Sequence, residues 1–294
     1  MIRYSINELE SLTGIKAHTI RIWEQRYGIL KPERTGTNIR YYSNDELRKL
    51  LNVTSLYNAG VKISHIVKLS ENEIKNRISE LIDSSTSEQN PYYEPFIGSL
   101  IAAGLDFDET LFEKNFSNAI LKFNLINTYR YVLLPMLQRI GVLWSTEDIS
   151  PAQEHFISNL VVQKIYSVID GLQPPVENNE KWLLFLPQHE EHEIGLLIAN
   201  YLLRSTGKKV FYLGTRLPYE TLLQTANIIK PTHLMFVIVR NQPSNELQNY
   251  LDMLSDDFKN LTIWVSGSAT VLDKVKINKP INYIHTLDEF VKEI

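Results

Sequence analysis

The stretch "KWLLFLPQHEEHEIGLLIANYLL", residues 181–203, joins two apolar segments through a polar loop. The first segment is short and apolar throughout, which is typical of a strand buried in a parallel sheet. In the second segment Ile194, Leu197 and Ile198 recur at helical spacing and form one apolar face. The same alternation of strand and helix repeats about five times before the C-terminus. The sequence therefore predicts a doubly wound parallel sheet over residues 178–294.

The polar loop in this stretch comes directly after the first strand of the predicted sheet, which we assign to the flavodoxin-like (Rossmann-like) α/β class. Sheets of this class bind ligands at the carboxyl ends of their strands. His192 is a candidate ligand there, Glu190 is placed to hold its other ring nitrogen, and Gly195 leaves clearance for a large group. A polar surface turn remains the alternative. Zinc held by His189 and His192 is disfavoured, because their spacing is not i, i+4 and no third ligand is evident.

Composition narrows the classes of protein. The chain has 294 residues, enough for two or three domains, and 44% of them are hydrophobic. It has no cysteine, which excludes disulfides, thiol nucleophiles and iron–sulfur clusters. No apolar stretch approaches the roughly 18 residues of a membrane span, and the N-terminus lacks the apolar core of a signal peptide. We expect a soluble cytoplasmic protein with no membrane partner.

The N-terminal region is predicted to be a helix-turn-helix. Residues 1–80 carry 13 basic and 9 acidic side chains, whereas the whole chain has a net charge of −4. A basic segment on an acidic body is typical of a small nucleic-acid-binding module. In "YSINELESLTGIKAHTIRIWEQRYG", residues 4–28, helical spacing turns Ile20 inward and leaves Thr19 and Arg21 on the outer face of the second helix.

A hairpin is predicted directly after these two helices. Pro32, Gly36 and Asn38 punctuate two short extended pieces in "LKPERTGTNIRYYS", residues 30–43. Arg34 and Arg40 flank the tip of this hairpin, and Tyr41 follows. Arginines on a hairpin beside a helix-turn-helix form a wing that can hold DNA phosphates.

The middle of the chain is predicted to be a linker, residues 76–94, followed by a four-helix bundle, residues 95–172. Four amphipathic segments of 10–20 residues are joined there by short loops. Trp144 ends the third segment, and Glu154 and His155 lie near the start of the fourth. These three side chains either line a cofactor pocket at the end of the bundle or are a capping glutamate and surface residues.

The N-terminal region resembles the MerR family of transcriptional regulators. The resemblance rests on "TIRIWEQRYGILKPERT", on the wing "IRYYS" and on "ELRKLLNVTSLYNAGVKISHIVKL", and it defines a winged helix-turn-helix domain over residues 1–75. It implies that Thr19 and Arg21 lie on the recognition helix and that Arg34, Arg40 and Tyr41 contact DNA from the wing. It also implies a homo-oligomer, dimer or tetramer, on a palindromic double-stranded DNA operator.

The remainder of the chain resembles cobalamin-binding domains of CarH-type light-sensing repressors. Glu190-x-His192-x-x-Gly195 is similar to the motif in which a histidine ligates cobalt from below. Trp144, nine residues, then Glu154-His155 is similar to the "W-x9-EH" signature that packs against an upper adenosyl group. The resemblance implies adenosylcobalamin or methylcobalamin as cofactor, with His192 as the metal ligand.

Three positions depart from the patterns of these domains. The "SxL" motif expected after the third strand is "VIV", Val237 to Val239, and the glycine pair after the fourth strand is Ser266-Gly267. The slot for the nucleotide tail would therefore lack one hydroxyl and gain one side chain. The histidine that ligates cobalt after photolysis in light-sensing members is Ser145 here, so no bis-histidine state is expected at this position.

The leading functional hypothesis is a transcriptional regulator whose oligomerisation and operator binding are controlled by cobalamin, with light as a further input. A MerR-type regulator without cofactor, controlled by a protein partner, is the alternative, and the altered "VIV" and Ser266-Gly267 motifs favour it. A corrinoid-carrying methyltransferase subunit is a third reading, against which the DNA-binding head argues. The sequence shows no arrangement of residues typical of a catalytic site, so we do not expect an enzyme.

Overall fold

A computed structural model describes residues 3–34, 36, 38–84, 93–145, 149–175 and 180–294. The chain forms two compact units, Met1–Leu160 and Val161–Ile294, which are described separately. The predicted class is confirmed, since a helix-turn-helix head, a helical middle and a parallel sheet follow one another. No helix in the described ranges is long and apolar enough to cross a membrane.

The first unit begins with the helix-turn-helix, α1 (Ile6–Thr13) and α2 (Ala17–Tyr27). A reciprocal capping box starts α1, in which the Ser5 side chain accepts the backbone N–H of Glu8 while the Glu8 carboxylate accepts that of Ser5. Gly14 ends α1 with a φ of 70°, a left-handed conformation that residues with a side chain rarely adopt. This glycine sets the turn between the two helices.

The predicted wing is a two-stranded antiparallel hairpin. Strand β1 (Glu33–Arg34) pairs with β2 (Arg40–Tyr41) so that Arg34 lies opposite Arg40. Three helices follow, and their bounds are α3 Asn44–Asn58, α4 Ile63–Ile66 and α5 Glu71–Ser84.

Helix α5 corrects the predicted linker of residues 76–94, because the first part of that stretch, up to Ser84, is helical. The apolar residues Ile74 and Ile78 are buried at i, i+4 spacing. This helical spacing is hard to recognise in the sequence, because most of the surrounding residues are polar. Residues 85–92 lie outside the described residues. The other domain boundaries remain predictions.

The middle of the chain contains the expected helices. Their bounds are α6 Glu94–Leu105, α7 Glu109–Thr128, a π-helical turn Tyr129–Leu133, α8 Leu134–Ser145 and α9 Pro151–Asp170. Asn124 has a non-helical φ of 60° and ψ of 168°, so a kink separates the start of α7 from its last turn. The last turn of α7, the π-turn and α8 then correspond to the third predicted helix.

Helices α3 and α6 pack closely within the first unit. A Cβ atom added to Gly98 of α6 would lie 2.8 Å from the Ser55 hydroxyl oxygen of α3. At one end of this contact Arg48 of α3 forms an ion pair with Asp106, at 2.8 Å. The helix-turn-helix region and the helical middle of the chain are thus packed together inside this unit.

The second unit is a five-stranded parallel sheet covered by helices. Its elements are β3 Lys181–Phe185, α10 Ile194–Ser205, β4 Lys209–Tyr212, α11 Tyr219–Ile229, β5 His233–Ile238, α12 Ser244–Asp257, β6 Thr262–Gly267, α13 Ala269–Leu272, β7 Ile281–Ile284 and α14 Leu287–Glu293. The strand order is β4-β3-β5-β6-β7, the flavodoxin-like order. The strands are apolar on both faces, as expected of a sheet with helices on each side.

The strand order reverses between β3 and β5, and ligands of such sheets bind in the crevice at this switch point. The loop from Leu186 to Glu193 leaves β3 at that edge. Helix α10 begins at Ile194 rather than at His192, so His192 lies on the loop and not on the first helical turn. Leu197 and Ile198 are buried, as the helical spacing predicts.

Candidate functional site

Glu190 is the centre of the loop that follows β3. It is 2% exposed, and its Oε1 accepts the backbone N–H groups of Glu191 and His192, both at 3.0 Å. Its Oε2 accepts the backbone N–H groups of Val239 and Arg240, at 2.7 and 2.8 Å. One buried carboxylate therefore ties the loop after β3 to the loop after β5, across the switch point.

The charge of Glu190 is stabilised by these hydrogen bonds. Burial by itself raises the pKa of the carboxyl group, but the bonds from the His192 ring and from the three backbone N–H groups of Arg240, His192 and Val239 outweigh it and lower the pKa to about 2. Glu190 is therefore a carboxylate at neutral pH, which is the form that accepts all of these bonds.

His192 is oriented by the same carboxylate. Its Nδ1 lies 2.5 Å from Oε1 of Glu190, while 56% of its side chain is exposed at the carboxyl edge of the sheet. A carboxylate on Nδ1 fixes the tautomer and makes the opposite nitrogen, Nε2, the atom that can coordinate a metal. The structure thus brings together the predicted pair of a ligand histidine and an orienting glutamate.

Gly195 lies in the first turn of α10, over β5. A Cβ atom at this position would lie 3.8 Å from Cγ1 of Val237, which is ordinary van der Waals contact. The helix start and the third strand are therefore close here, and the Val237 side chain stands where the predicted serine motif would begin.

Ser266 and Gly267 end β6 and have separate roles. The Ser266 hydroxyl donates to the carbonyl oxygen of Ile284 on β7, at 3.0 Å, so it is used inside the sheet. Gly267 has a φ of 147°, and a Cβ atom there would lie 1.9 Å from the carbonyl oxygen of Ile238. The glycine is required by the close approach of β5, whatever ligand is bound.

The predicted upper-face residues belong to α8 and α9. The side chain of Trp144 lies outside the described residues. Glu154 accepts the Ser158 hydroxyl at 2.7 Å, and its Oε2 lies 3.5 Å from Nε2 of His155. His155 is 73% exposed. Glu154 and His155 are therefore adjacent and available to a ligand, and their role as cofactor contacts remains a prediction.

No group of three His, Cys, Asp or Glu side chains that could hold a metal ion by themselves occurs among the described residues.

The outward face of α2 carries Thr19 and Arg21, the predicted DNA contacts, together with three further side chains. Arg21 is exposed, and Thr19 is half-buried. His18, Ile22 and Gln25 are also exposed, and with Arg21 they form a stripe at i, i+3, i+4 and i+7. Sequence reasoning missed His18, Ile22 and Gln25, although the helical spacing from buried Ile20 and Trp23 could have identified them.

The wing is fixed to α2 by Glu24. Its carboxylate accepts Nε–H of Arg40 at 3.1 Å and the hydroxyl of Tyr42 at 2.8 Å. Arg40 thus positions the wing against the recognition helix, in addition to any contact with DNA.

The other two wing residues are exposed to different degrees. Arg34 is exposed at the tip, where its Nη1 donates to Oδ1 of Asn38 at 2.6 Å. The Tyr41 hydroxyl donates to Glu33, and the Arg3 guanidinium lies 4.3 Å from the centre of the Tyr41 ring. Their phosphate contacts remain predictions.

Comparisons with known proteins match two regions of the chain. Residues 4–73 match the MerR HTH family regulatory proteins, and residues 97–168 match the B12 binding domain. The HTH-type transcriptional repressor CarH of Myxococcus xanthus is 28% identical over 268 residues, which are 90% of this chain and 89% of CarH. The repressor CarA of the same organism is 28% identical over 250 residues, 84% of this chain and 80% of CarA.

A solved structure has a similar fold over much of the chain. The monomethylamine corrinoid protein of Methanosarcina barkeri superposes with a TM-score of 0.53 at 13% identity, covering 66% of this chain and 94% of that protein. At this identity the likeness shows the fold alone. The named sequence relatives are repressors, which indicates a regulator and not an enzyme. The chain is therefore a transcriptional regulator similar to CarH and CarA, with a region that matches the MerR HTH regulatory proteins followed by a region that matches the B12 binding domain.

Proposed function

We propose that this regulator binds cobalamin through His192 and that the bound cofactor controls its affinity for operator DNA. The observation that supports this most strongly is the Glu190–His192 pair at the switch point of the sheet. A buried carboxylate that receives four backbone N–H groups is costly to assemble in a surface turn, yet it presents one exposed imidazole. This arrangement favours a role of His192 as a metal ligand over that of an ordinary polar residue in a surface turn.

The residues of this chain divide the work of holding the cofactor. His192 would ligate cobalt, Glu190 would hold its ring, and Gly195 would leave room beside them. Trp144, Glu154 and His155 would contact the upper ligand, as the resemblance implies. When bound, adenosylcobalamin would supply a cobalt–carbon bond that light can break. Without a histidine at Ser145, no protein ligand is expected there to replace the lost adenosyl group.

The slot for the nucleotide tail is the part of the site that differs most from the expected pattern. Val237 lies against Gly195, and the Ser266 hydroxyl is bonded to β7. We propose that cobinamide, which lacks the nucleotide tail, binds nearly as well as cobalamin. A strong preference for cobalamin would contradict this and assign the tail a slot of its own.

On the DNA side, we propose that a homo-oligomer, dimer or tetramer, binds a palindromic operator through α2 and the wing. Cofactor binding would change the oligomeric state, and operator affinity would follow by linkage. The basic exposed residues of the head make this binding dependent on salt, because each phosphate contact releases a counterion.

The test is to load the full-length protein with adenosylcobalamin in the dark and to record its visible spectrum, its size and its operator affinity before and after illumination. We expect a His192→Ala variant to retain a spectrum of cobalt without a protein ligand. His189→Ala is the matched control, since this exposed histidine lies on the same loop. Absence of retained colour in the wild-type protein would refute the proposal.

The remaining outcomes separate the finer alternatives. Colour with no change of size or affinity on illumination leaves a cobalamin sensor that does not respond to light. An oligomer and an operator affinity that ignore cobalamin altogether favour the alternative, a regulator that responds to a protein partner.

A further inference from the structure

Glu193 follows His192 directly, and its carboxylate is bound by two tyrosines. Its Oε2 accepts the hydroxyl of Tyr212 at 2.9 Å and the hydroxyl of Tyr166 at 3.2 Å. The two rings meet edge to face, with centroids 6.2 Å apart and planes at 89°. All three residues belong to the second unit, and we call this set the Glu193 clamp.

The clamp joins three elements at the base of the His192 loop. Tyr166 lies near the end of α9, Tyr212 is the last residue of β4, and Glu193 is the N-cap residue that directly precedes α10. Because His192 and Glu193 are consecutive, their backbones move together. A displacement of the end of α9 or of β4 is thus transmitted to the residue beside the imidazole.

The side chain of Glu193 is not used in the way expected of a glutamate at a helix start. A carboxylate there commonly accepts backbone N–H groups of the first turn or the cap. Glu193 makes no such capping hydrogen bond. It is turned instead toward two hydroxyls from other elements, and a cap would have been the simpler arrangement if helix stability were its only role.

The two tyrosines remain hydrogen-bond donors over the physiological range of pH. Burial is the largest cause that raises the pKa of Tyr212, and the charge of Glu193 raises it further. The same two causes, in the same order, raise the pKa of Tyr166. Both phenols stay protonated, so the clamp does not open by their ionisation.

We propose that the Glu193 clamp is a positioning device for the cobalt ligand, which sets the height and tilt of His192 and connects its ligation to α9. This inference rests on the proposed function, since it assumes that His192 ligates cobalt. Glu190 fixes the ring of His192 from one side, and the clamp fixes its backbone from the other.

The experiment uses the full-length protein loaded with adenosylcobalamin in the dark. We expect Glu193→Gln and Tyr212→Phe to shift the ratio of histidine-ligated to unligated cobalamin by about tenfold, as loss of residues that orient metal ligands typically does. Tyr166→Phe, which removes the longer bond, should shift it less. The visible spectrum and the rate of cofactor loss report this ratio.

Tyr219→Phe is the matched control for these variants. Its hydroxyl also donates to a carboxylate, that of Asp257 at 2.6 Å, but on α11 and α12, away from the loop. We expect the control to keep the wild-type spectrum. If the clamp variants bind cobalamin with a wild-type spectrum, the clamp does not position His192 and the inference is overturned.

Failure of the proposed function is distinguished by a second measurement. If the wild-type protein retains no cobalamin, the proposed function fails. Hydrogen exchange of the cofactor-free protein then tests the clamp by itself. We expect faster exchange in the first turn of α10 and the last turn of α9 for Glu193→Gln and Tyr212→Phe, and unchanged exchange there for the control. Equal exchange in all variants would overturn the clamp.

Discussion

Gly267 occupies a position where the backbone geometry admits only glycine. The carbonyl oxygen of Ile238 lies 1.9 Å from the position that a Cβ atom would take, and the φ of 147° is one that only glycine adopts readily. The neighbouring Ser266 has an ordinary backbone and uses its hydroxyl within the sheet. The two residues of the altered glycine pair therefore differ in how much change they tolerate.

We predict opposite results for substitutions at these two neighbours. Gly267→Ala should lower the free energy of unfolding by about 4 kcal/mol or more, because β5 and β6 must separate to admit the methyl group. Ser266→Gly should cost only about 1 kcal/mol, for one lost hydrogen bond and added chain freedom. Denaturant unfolding of the full-length protein measures both, and a mild effect of Gly267→Ala would contradict the geometry.

We propose that α2 contacts the DNA bases, because the chemistry of its exposed stripe suits the major groove. Arginine can bond two acceptors of guanine, glutamine can bond adenine, and an apolar side chain can contact the methyl group of thymine. Arg21, Gln25 and Ile22 supply these three types in adjacent turns of the helix. We expect Arg34, which is exposed on the wing, to contact the backbone phosphates instead.

We expect Arg21→Ala and Gln25→Ala each to weaken operator binding by about 1–3 kcal/mol and to relax the preference at one base. Arg34→Ala should weaken all sequences alike and reduce the dependence of log affinity on log salt by about one. Selection of binding sites from a random DNA library measures both effects. Lys114→Ala, which removes an exposed charge from the bundle, serves as the control.

A second element with a testable chemistry is the amino end of β5. The His233 ring stacks on Trp182, with centroids 4.3 Å apart and planes at 8°. Burial, the largest cause, lowers the pKa of His233 below 6.5, although the charge of Glu180 opposes it. The folded protein therefore takes up this proton less readily than the unfolded chain does.

This difference predicts that the protein becomes less stable as the pH is lowered. Because the pKa of His233 is lower in the folded state, its contribution is complete above about 6.5 and declines as the pH falls below that value. His233→Phe keeps a ring against Trp182 but removes the titration. We expect the variant to lose less stability than the wild type across this window, measured by hydrogen exchange of β5. Parallel losses would show that other groups dominate.

At the scale of the whole molecule, communication between the DNA-binding head and the bundle requires a shared surface. Within the first unit a major part of this surface is the contact of α3 with α6, where Gly98 faces Ser55 and Leu51. The exposed ion pair of Arg48 and Asp106 at its rim contributes little, as surface pairs generally do. Close packing at Gly98 is the larger constraint.

We predict that Gly98→Ala destabilises the protein by about 1–3 kcal/mol through overpacking against Ser55. Ser55→Ala should recover much of this loss in the double variant, because it removes the atom that the new methyl group meets. Thermal melting of the four proteins gives the coupling energy. Additive effects would mean that Gly98 is not limiting. Operator affinity of the same proteins shows whether this contact affects DNA binding.

Much of this architecture could be predicted because its signals are local. Helical spacing identified α2 through Ile20 and Trp23, and short apolar runs identified each strand of the sheet. Glu190 and His192 were paired correctly because two residues that close in sequence can meet in only a few ways. The polar surroundings of α5, by contrast, concealed a short apolar repeat and led to a predicted linker.

Contacts between distant segments could not be predicted. The bonds from Val239 and Arg240 to Glu190 join loops 49 and 50 residues apart and use only the backbone, which leaves no pattern in the side chains. The tyrosines that bind Glu193 lie 27 and 19 residues away on other elements, so the local sequence around Glu193 does not indicate this contact. Sequence spacing carries no information about such meetings.

The backbone bonds to Glu190 also determine which sequence changes the site can survive. Every residue except proline offers a main-chain N–H, so the support of Glu190 does not depend on the identity of the side chains at positions 239 and 240. Substitutions at these positions should therefore have little effect on the hydrogen bonds of the buried Glu190 carboxylate. In a saturation library scored for folded protein, we expect proline alone to be strongly depleted at both positions. A site supported by main chain persists in descendants whose side chains no longer resemble the ancestral motif.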